Sequence, residues 1–287
     1  MKLTSDQVKQ YFEQGFLVIP DFVPHDEIDG LQSQMAKLIK EFDVDATIKS
    51  VFTTKEQQRI TNKYFLESSD SIRFFFEPDA IKDEKLVVEK DVAFNKVGHA
   101  LHDLDPVFEH FSYHQRIKDL IKSLGVYNHP LSVQSMYIFK NPKIGGEVGI
   151  HQDSTFLHTT PLTTHAIWFA FEDSTIENGC LRALSGSHKN GTKRRFIINE
   201  ENETGVFVPP ERDDSIYDRN EFAALQCKKG SIVLLDGAVV HYSEPNTSAK
   251  SRHAYTLHFI EGDGSAVYEK DNWLQRNNPA LPFRELY

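Results

Sequence analysis

Three side chains in this sequence could hold a metal ion and still leave room for chemistry. His151 and Asp153 flank Gln152 at the end of the run Gly145-Gly146-Glu147-Val148-Gly149-Ile150-His151-Gln152-Asp153. Side chains alternate along a strand, so a His-x-Asp pair at a strand end points an imidazole and a carboxylate the same way. That makes half of a facial site, and the third ligand must come from elsewhere in the chain. His241 is the best candidate. It follows the apolar Ile232-Val233-Leu234-Leu235 and the turn Asp236-Gly237-Ala238, which puts it at a strand start inside a barrel. Two His and one carboxylate with open positions are the mark of non-haem Fe(II) oxygenases. Those open positions suit a bidentate co-substrate and O2.

A lone His-x-Asp carries little weight, but a distant His with an arginine at a fixed offset carries much more. Arg252 lies eleven positions after His241. The expectation is that the two sit on neighbouring antiparallel strands joined by a turn at 245–249, with the guanidinium pointing inward. Such a group can clamp a carboxylate with two parallel hydrogen bonds. 2-Oxoglutarate needs both attachments, because its keto-acid end chelates the metal and its far carboxylate requires a buried cation. Ser243, two positions after His241, shares its side-chain direction and can add a hydroxyl to that carboxylate. Taken singly, Arg252 reads as a surface cation and Ser243 as a turn residue. Joined to His241 at this spacing, they read as a co-substrate clamp.

The elements that must position these groups follow from periodicity. Thr4 with Gln7 forms a capping box, followed by Val8, Tyr11 and Phe12 on one helical face and a stop at Gly15. Residues 16–20 read as a short buried strand. Ile28, Leu31, Met35, Leu38, Ile39 and Phe42 repeat at helical spacing. Residues 44–62 are polar and read as a variable loop, 72–77 as a buried strand, and 95–124 as helical. Strands then dominate, at 133–140, 165–172, 231–236 and 253–261, separated by Gly, Pro, Asn and Asp clusters. Residues 200–222 are too polar for core and read as a long insertion between strands, of the kind that covers active sites.

Composition narrows the remaining classes. The 287 residues are 39% hydrophobic, enough to bury a large core without disulfides. Cys180 and Cys227 lie in unrelated contexts and read as small core residues in a reducing compartment. A net charge of -10 argues against a general nucleic-acid binder or a polybasic membrane clamp. No apolar run approaches the ~20 residues of a membrane helix. The start enters a polar helical pattern at once, and the end, Glu285-Leu286-Tyr287, is no peroxisomal address, so a cytoplasmic location is expected; separately, the chain is expected to be monomeric.

At this point the motifs resemble a known family. His151-Gln152-Asp153, His241 and Arg252, with Glu177-Asn178-Gly179-Cys180-Leu181 and Gly186-Ser187-His188, are similar to the phytanoyl-CoA dioxygenase family. One branch of that family is matched over nearly the whole chain, through Gly15-Phe16-Leu17-Val18, Asn95-Lys96-Val97-Gly98-His99, Gln134-Ser135-Met136-Tyr137 and Asn272-Trp273-Leu274. The resemblance implies a double-stranded β-helix (jelly-roll) fold, Fe(II) and 2-oxoglutarate. It also implies that Lys96, Met136 and Trp168 line the co-substrate pocket beside Ser243 and Arg252. Read without it, Lys96 is a solvated cation, and Met136 and Trp168 are core. Ala166 and Ala170 do flank Trp168 on its own face and leave room against the indole. The chain departs from the family at Arg182-Ala183-Leu184-Ser185, where an aromatic and a proline are usual, so substrate identity stays open.

The expectation is therefore a mainly β fold with N-terminal helices, forming one domain over 1–287. Residues to about 125 form a helix-rich buttress. The jelly-roll core follows from about 126 to 287, with an insertion near 190–225. The metal ligands are His151, Asp153 and His241, and Lys96, Met136, Trp168, Ser243 and Arg252 hold 2-oxoglutarate. The expected reaction consumes O2, splits 2-oxoglutarate to succinate and CO2, and hydroxylates a C–H bond of a small molecule. A zinc hydrolase could use the same ligands, and a non-catalytic 2-oxoglutarate binder is a third reading. His188 reads as a group supporting the metal ligands or as structural, His253 and His258 as structural, and His99 with His102 as packing or surface residues. Lys189, Lys193, Arg194 and Arg195 either meet an anionic substrate or form a solvated loop.

Overall fold

The computed structural model describes residues 2–44, 63–83, 85–199, 201, 203–211 and 213–287. The polar loop expected at 44–62 falls outside them except for Val44. Helix α1 (Ser5–Gln14) begins with the expected capping box: Thr4 Oγ1 accepts from Gln7 N, and Thr4 N donates to Gln7 Oε1. It ends at Gly15, whose φ of 82° is left-handed. The chain then enters β1 (Phe16–Ile19) and α2 (His25–Glu41), whose Ile28, Leu31, Met35 and Ile39 are buried.

Among the described residues, most of the longer strands form two antiparallel sheets. In chain order they are β2 (Ile72–Phe76), β3 (Phe94–His99), β4 (Pro130–Ile138), β5 (Val148–His151), β6 (His165–Ala170) and β7 (Leu181–Ala183). Then come β8 (Arg195–Asn199), β9 (Thr204–Val208), β10 (Ala223–Leu225), β11 (Ile232–Asp236), β12 (His241–Ser243), β13 (Ala254–Glu261) and β14 (Arg284–Glu285). The large sheet runs β1-β11-β6-β13-β4-β3-β2, with β14 on β4, and the small one β10-β7-β12-β5, while β8 with β9 forms a separate hairpin.

Burial on both faces explains why β6, β11 and β13 are largely apolar. Ile167, Phe169, Ile232, Leu234, Tyr255, Leu257 and Phe259 join the helix-side core, which also holds Leu31, Phe108 and Ile117. The opposite face carries Ala166, Trp168, Ala170, Val233, Leu235 and Ala254, and it packs with Leu181 and Ala183 of the small sheet. The site lies between the two sheets, on that second face.

Two expectations need correction. Residues 94–99 are not helical: they pair with both β2 and β4, Lys96 lying opposite Phe75 and Ile138. Helix starts only at Leu101, continuing through α3 (Pro106–Ser112) and α4 (Gln115–Leu124). Pairing on both edges outweighs a local helical spacing. The N-terminal buttress thus supplies three strands of the large sheet as well as helices. His241 and Arg252 are also not on neighbouring strands. His241 opens β12 in the small sheet, while Arg252 leads into β13 in the large one. Between them Asn246 pins the corner, its Nδ2 donating to the carbonyls of Lys140 and Lys250.

Candidate metal centre and co-substrate pocket

His151 ends β5 and His241 begins β12, and the two are direct partners across that strand pair. Their ring centroids are 4.2 Å apart. Each ring is fixed by its own backbone: His151 Nδ1 contacts Gly149 O at 2.8 Å, and His241 Nδ1 contacts Val239 O at 3.0 Å. A carbonyl only accepts, so both protons sit on Nδ1 and both Nε2 lone pairs face the site.

Asp153 arrives differently from a simple strand alternation, because it opens a 3-10 turn, Asp153–Thr155. Gln152 is still extended and faces away, donating to Gly191 O and Ala238 O and accepting from Lys193 N. Gly237 receives the turn: Ser154 N donates to Gly237 O at 2.8 Å. A β-carbon at Gly237 would fall 2.5 Å from Ser154 Oγ and 2.6 Å from Thr164 O. The result brings Asp153 Oδ1 to 3.7 Å from His151 Nε2 and 3.8 Å from His241 Nε2. One ligand atom from each of the three lies within 4.8 Å of the others, a spacing that fits one metal ion. Burial alone would raise the Asp153 carboxyl, but the positive charge of His258, His241 and His151, when those rings are protonated, outweighs it and holds the group well below the usual carboxylate range.

These three residues line one cavity of about 350 Å³ together with Lys96, Met136, Trp168, Ser243 and Arg252. All eight residues selected from the sequence therefore meet in one place. Arg252 is 1% exposed, and burial pulls its guanidinium down to about 10, so it stays cationic at neutral pH. Its Nη2 donates to Ser243 Oγ, and the guanidinium lies 5.1 Å from the Trp168 ring centre. Its Nε and Nη1 are buried without a hydrogen-bond partner. Trp168 Nε1 and Thr256 Oγ1 are in the same state in the same cavity. Lys96 Nζ lies 3.5 Å from Met136 Sδ and 5.3 Å from the Phe65 ring centre.

Comparison with known proteins identifies the family and the fold. Residues 11–254 match the family model described as Phytanoyl-CoA dioxygenase (PhyH). The chain belongs to the phytanoyl-CoA dioxygenase family. The phytanoyl-CoA dioxygenase domain-containing protein 1 homolog of Dictyostelium discoideum is 64% identical over 286 residues, which is 100% of each chain. Among solved structures, the non-heme alpha ketoglutarate dependent carbocyclase SnoK aligns with a TM-score of 0.67 at 18% identity, covering 98% of this chain and 94% of its own. The epimerase SnoN, in complex with Fe3+, alpha ketoglutarate and nogalamycin RO, aligns with a TM-score of 0.64 at 13% identity over 98% and 93%. The fold is the jelly roll of the Fe/2-oxoglutarate oxygenases.

Within this phytanoyl-CoA dioxygenase fold, two site residues escaped the sequence reading. His258, expected to be structural, places Nε2 3.4 Å from Asp153 Oδ2. The available signal was its even offset from Arg252, which puts both on one face of the β13 segment. Lys140 ends an apolar strand before Asn141-Pro142 and gave no such signal. It is 2% exposed, lines the cavity, and donates from Nζ to Gly146 O at 2.6 Å and to Ser243 O at 3.4 Å. Burial, then the Arg252 charge, pull its ammonium down to about 7.

The basic cluster is largely engaged. Arg194 lies 3.8 Å over the Phe207 ring and donates to the carbonyls of Pro209 and Pro210. Arg195 pairs with Asp271. Only Lys193 and Arg194 of the four line the cavity, and Glu211, Asp213 and Asp214 line it too. The expected insertion holds the β8–β9 hairpin, and His188 stays away from the metal ligands, its Nε2 3.1 Å from Phe12 O.

Proposed function

We propose that this protein is an Fe(II)- and 2-oxoglutarate-dependent dioxygenase that hydroxylates a C–H bond of a small molecule. The observation that carries the reading is Arg252. A buried cation with two unpartnered nitrogens is strongly disfavoured unless an anion completes it. Its contact Ser243 lies two residues from His241 on β12, a strand step of roughly 6–7 Å. That separation suits a five-carbon dicarboxylate reaching from the metal ligands to the guanidinium.

The donor set fits iron: two imidazole nitrogens with fixed tautomers and one carboxylate, leaving coordination positions open. With iron and 2-oxoglutarate bound, the metal centre supplies the oxidising chemistry that yields succinate, CO2 and the hydroxylated product. This chain's residues hold and orient. Arg252 takes the far carboxylate, with Ser243 Oγ accepting from its Nη2 and aiming the guanidinium, Trp168 and Met136 wall the carbon chain, and Lys96 adds another cation to the pocket. The aromatic groups of Phe65, Phe156, Phe207 and Trp273 line the same cavity and limit water there. A cavity of about 350 Å³ that must also hold the co-substrate favours a small substrate, and its lining carries both signs of charge.

Succinate release from 2-oxoglutarate, measured with and without added Fe(II) and O2, tests the proposal. Dependence on both is expected. Activity with zinc but not iron would move the protein to the hydrolases, which leave the Arg252 fork unexplained. Tight 2-oxoglutarate binding with no turnover across a broad metabolite set would make it a binder.

A further inference from the structure

We propose that His258 is a positioning residue for the metal centre: its Nε2–H donates to Asp153 Oδ2 and holds that carboxylate to ligation through Oδ1 alone. The inference rests on the metal reading above and goes beyond its three ligands. The two oxygens of Asp153 have separate surroundings. Oδ1 faces the Nε2 atoms of His151 and His241, at 3.7 and 3.8 Å. Oδ2 faces His258 Nε2 at 3.4 Å. His258 is 3% exposed, so water does not compete for that contact.

The tautomer follows from the other ring nitrogen. His258 Nδ1 is buried and has no hydrogen-bond partner. A proton there would be an unmet buried donor, and it would leave the Nε2 lone pair facing a carboxylate. With the proton on Nε2, the donor meets the carboxylate and only an acceptor goes unmet, which is the smaller loss.

The sheet places the ring deliberately. Thr256 and His258 share the face of β13 that looks across at the small sheet, while Leu257 and Phe259 enter the helix-side core. The strand partner of His258 on β6 is Ala166, which leaves volume for an imidazole. On β4 the register slips beside it: His258 opposes Gln134 and Phe259 opposes Ser132, with Val133 as the extra residue. Bulges of this kind re-aim side chains next to sites.

One-oxygen ligation matters because of the coordination count. With one atom from each of His151, Asp153 and His241 and two from the co-substrate, a six-coordinate metal would keep one position open. A carboxylate that swung round to bind through both oxygens would close it. Groups that hydrogen-bond metal ligands typically change metal affinity ~10–100-fold when removed.

The experiment uses full-length protein and two variants, His258→Phe, which keeps a ring without the donor, and His258→Gln, which keeps an N–H donor. Anaerobic calorimetry with Mn(II) gives metal affinity, and the visible spectrum of the Co(II)-loaded protein reports coordination. Expected are a ~10–100-fold weaker Mn(II) Kd and an altered Co(II) spectrum for His258→Phe, with His258→Gln close to wild type in both. Wild-type affinity and spectrum in His258→Phe would overturn the proposal, and so would equal losses in both variants, since packing rather than donation would then be the cause. Nitrogen-15 NMR of histidine-labelled wild-type protein loaded with Zn(II) needs no variant to fold: His258 must carry its proton on Nε2, and a proton on Nδ1 overturns the assignment. Failure of the metal reading itself looks different, because wild-type protein would then bind no Mn(II) at all.

Discussion

Arg252 and Ser243 meet across the gap between the two sheets, the guanidinium Nη2 donating to the serine Oγ at 3.2 Å. The hydroxyl in turn donates to Gly179 O at 2.9 Å, so Ser243 faces Arg252 as an acceptor and helps aim it. Gly179 permits this approach: its φ is 78°, and a β-carbon would lie 2.3 Å from Glu244 O. The contact joins the large sheet to the strand that carries His241.

Arg252→Met should raise the Kd for 2-oxoglutarate by ~10²–10³-fold, because losing one partner of a buried charged pair typically costs ~3–5 kcal/mol. Ser243→Ala removes one hydrogen bond and should cost ~0.5–1.5 kcal/mol, roughly 2–10-fold. Lysine at 252 should rescue only in part, since a point charge cannot reproduce a fork. Anaerobic calorimetry with Mn(II) present ranks the three. Near-wild-type affinity in Arg252→Met would place the clamp elsewhere.

His151→Ala, Asp153→Ala and His241→Ala should each abolish Mn(II) binding and iron-dependent succinate formation while the far-UV circular dichroism stays as in wild type. Each removes one of three ligands that lie together at the cavity. Normal turnover in any one of them removes that residue from the site.

Gly237→Ala should weaken metal binding without touching a ligand. The new methyl would meet Ser154 Oγ and the backbone oxygen of Thr164, displacing the turn that carries Asp153. Overpacking of this sort typically costs ~1–3 kcal/mol. Gly30→Ala, on α2 with nothing within 4 Å, is the control and should stabilise the fold by a few tenths to ~1 kcal/mol. Paired Mn(II) titrations and urea melts check both, and equal metal affinity in the two variants would sink the argument.

Lys140 gives a pH dependence with a definite sign. Its ammonium is pulled down to about 7 in the folded protein from an ordinary value of 10.5, through burial and Arg252, with Glu77, Glu147 and Glu244 acting the other way. Between those values the unfolded chain holds a proton here that the folded chain lacks. Lys140 therefore destabilises the metal-free fold fully below pH 7, and that loss is relieved as pH rises, by at most ~1.4 kcal/mol per unit. Urea melts between pH 7 and 9 should show a shallower rise for Lys140→Met than for wild type. Parallel slopes would mean Lys140 keeps its proton throughout.

What the chain disclosed by itself was the ligand chemistry and the strand rhythm. His151-x-Asp153, His241 and Arg252 stand out because residue type and spacing are local properties, as are the Thr4–Gln7 capping box and the αL stop at Gly15, although Asp153 sits on a 3-10 turn rather than on the strand the period of two implies. Tertiary structure decided which sheet each group sits on. Arg252 approaches from the large sheet rather than from the strand next to His241, because Asn246 turns the chain between layers. Residues 94–99 became a strand because β2 and β4 both offered edges, a gain that no local window contains. His258 and Lys140 belong to the same class. A histidine on an apolar strand and a lysine at a strand end look structural or solvated in one dimension. Closure of the two sheets buries them against Asp153 and beside Arg252, where desolvation and neighbouring charge, both properties of three-dimensional surroundings, set what they can do.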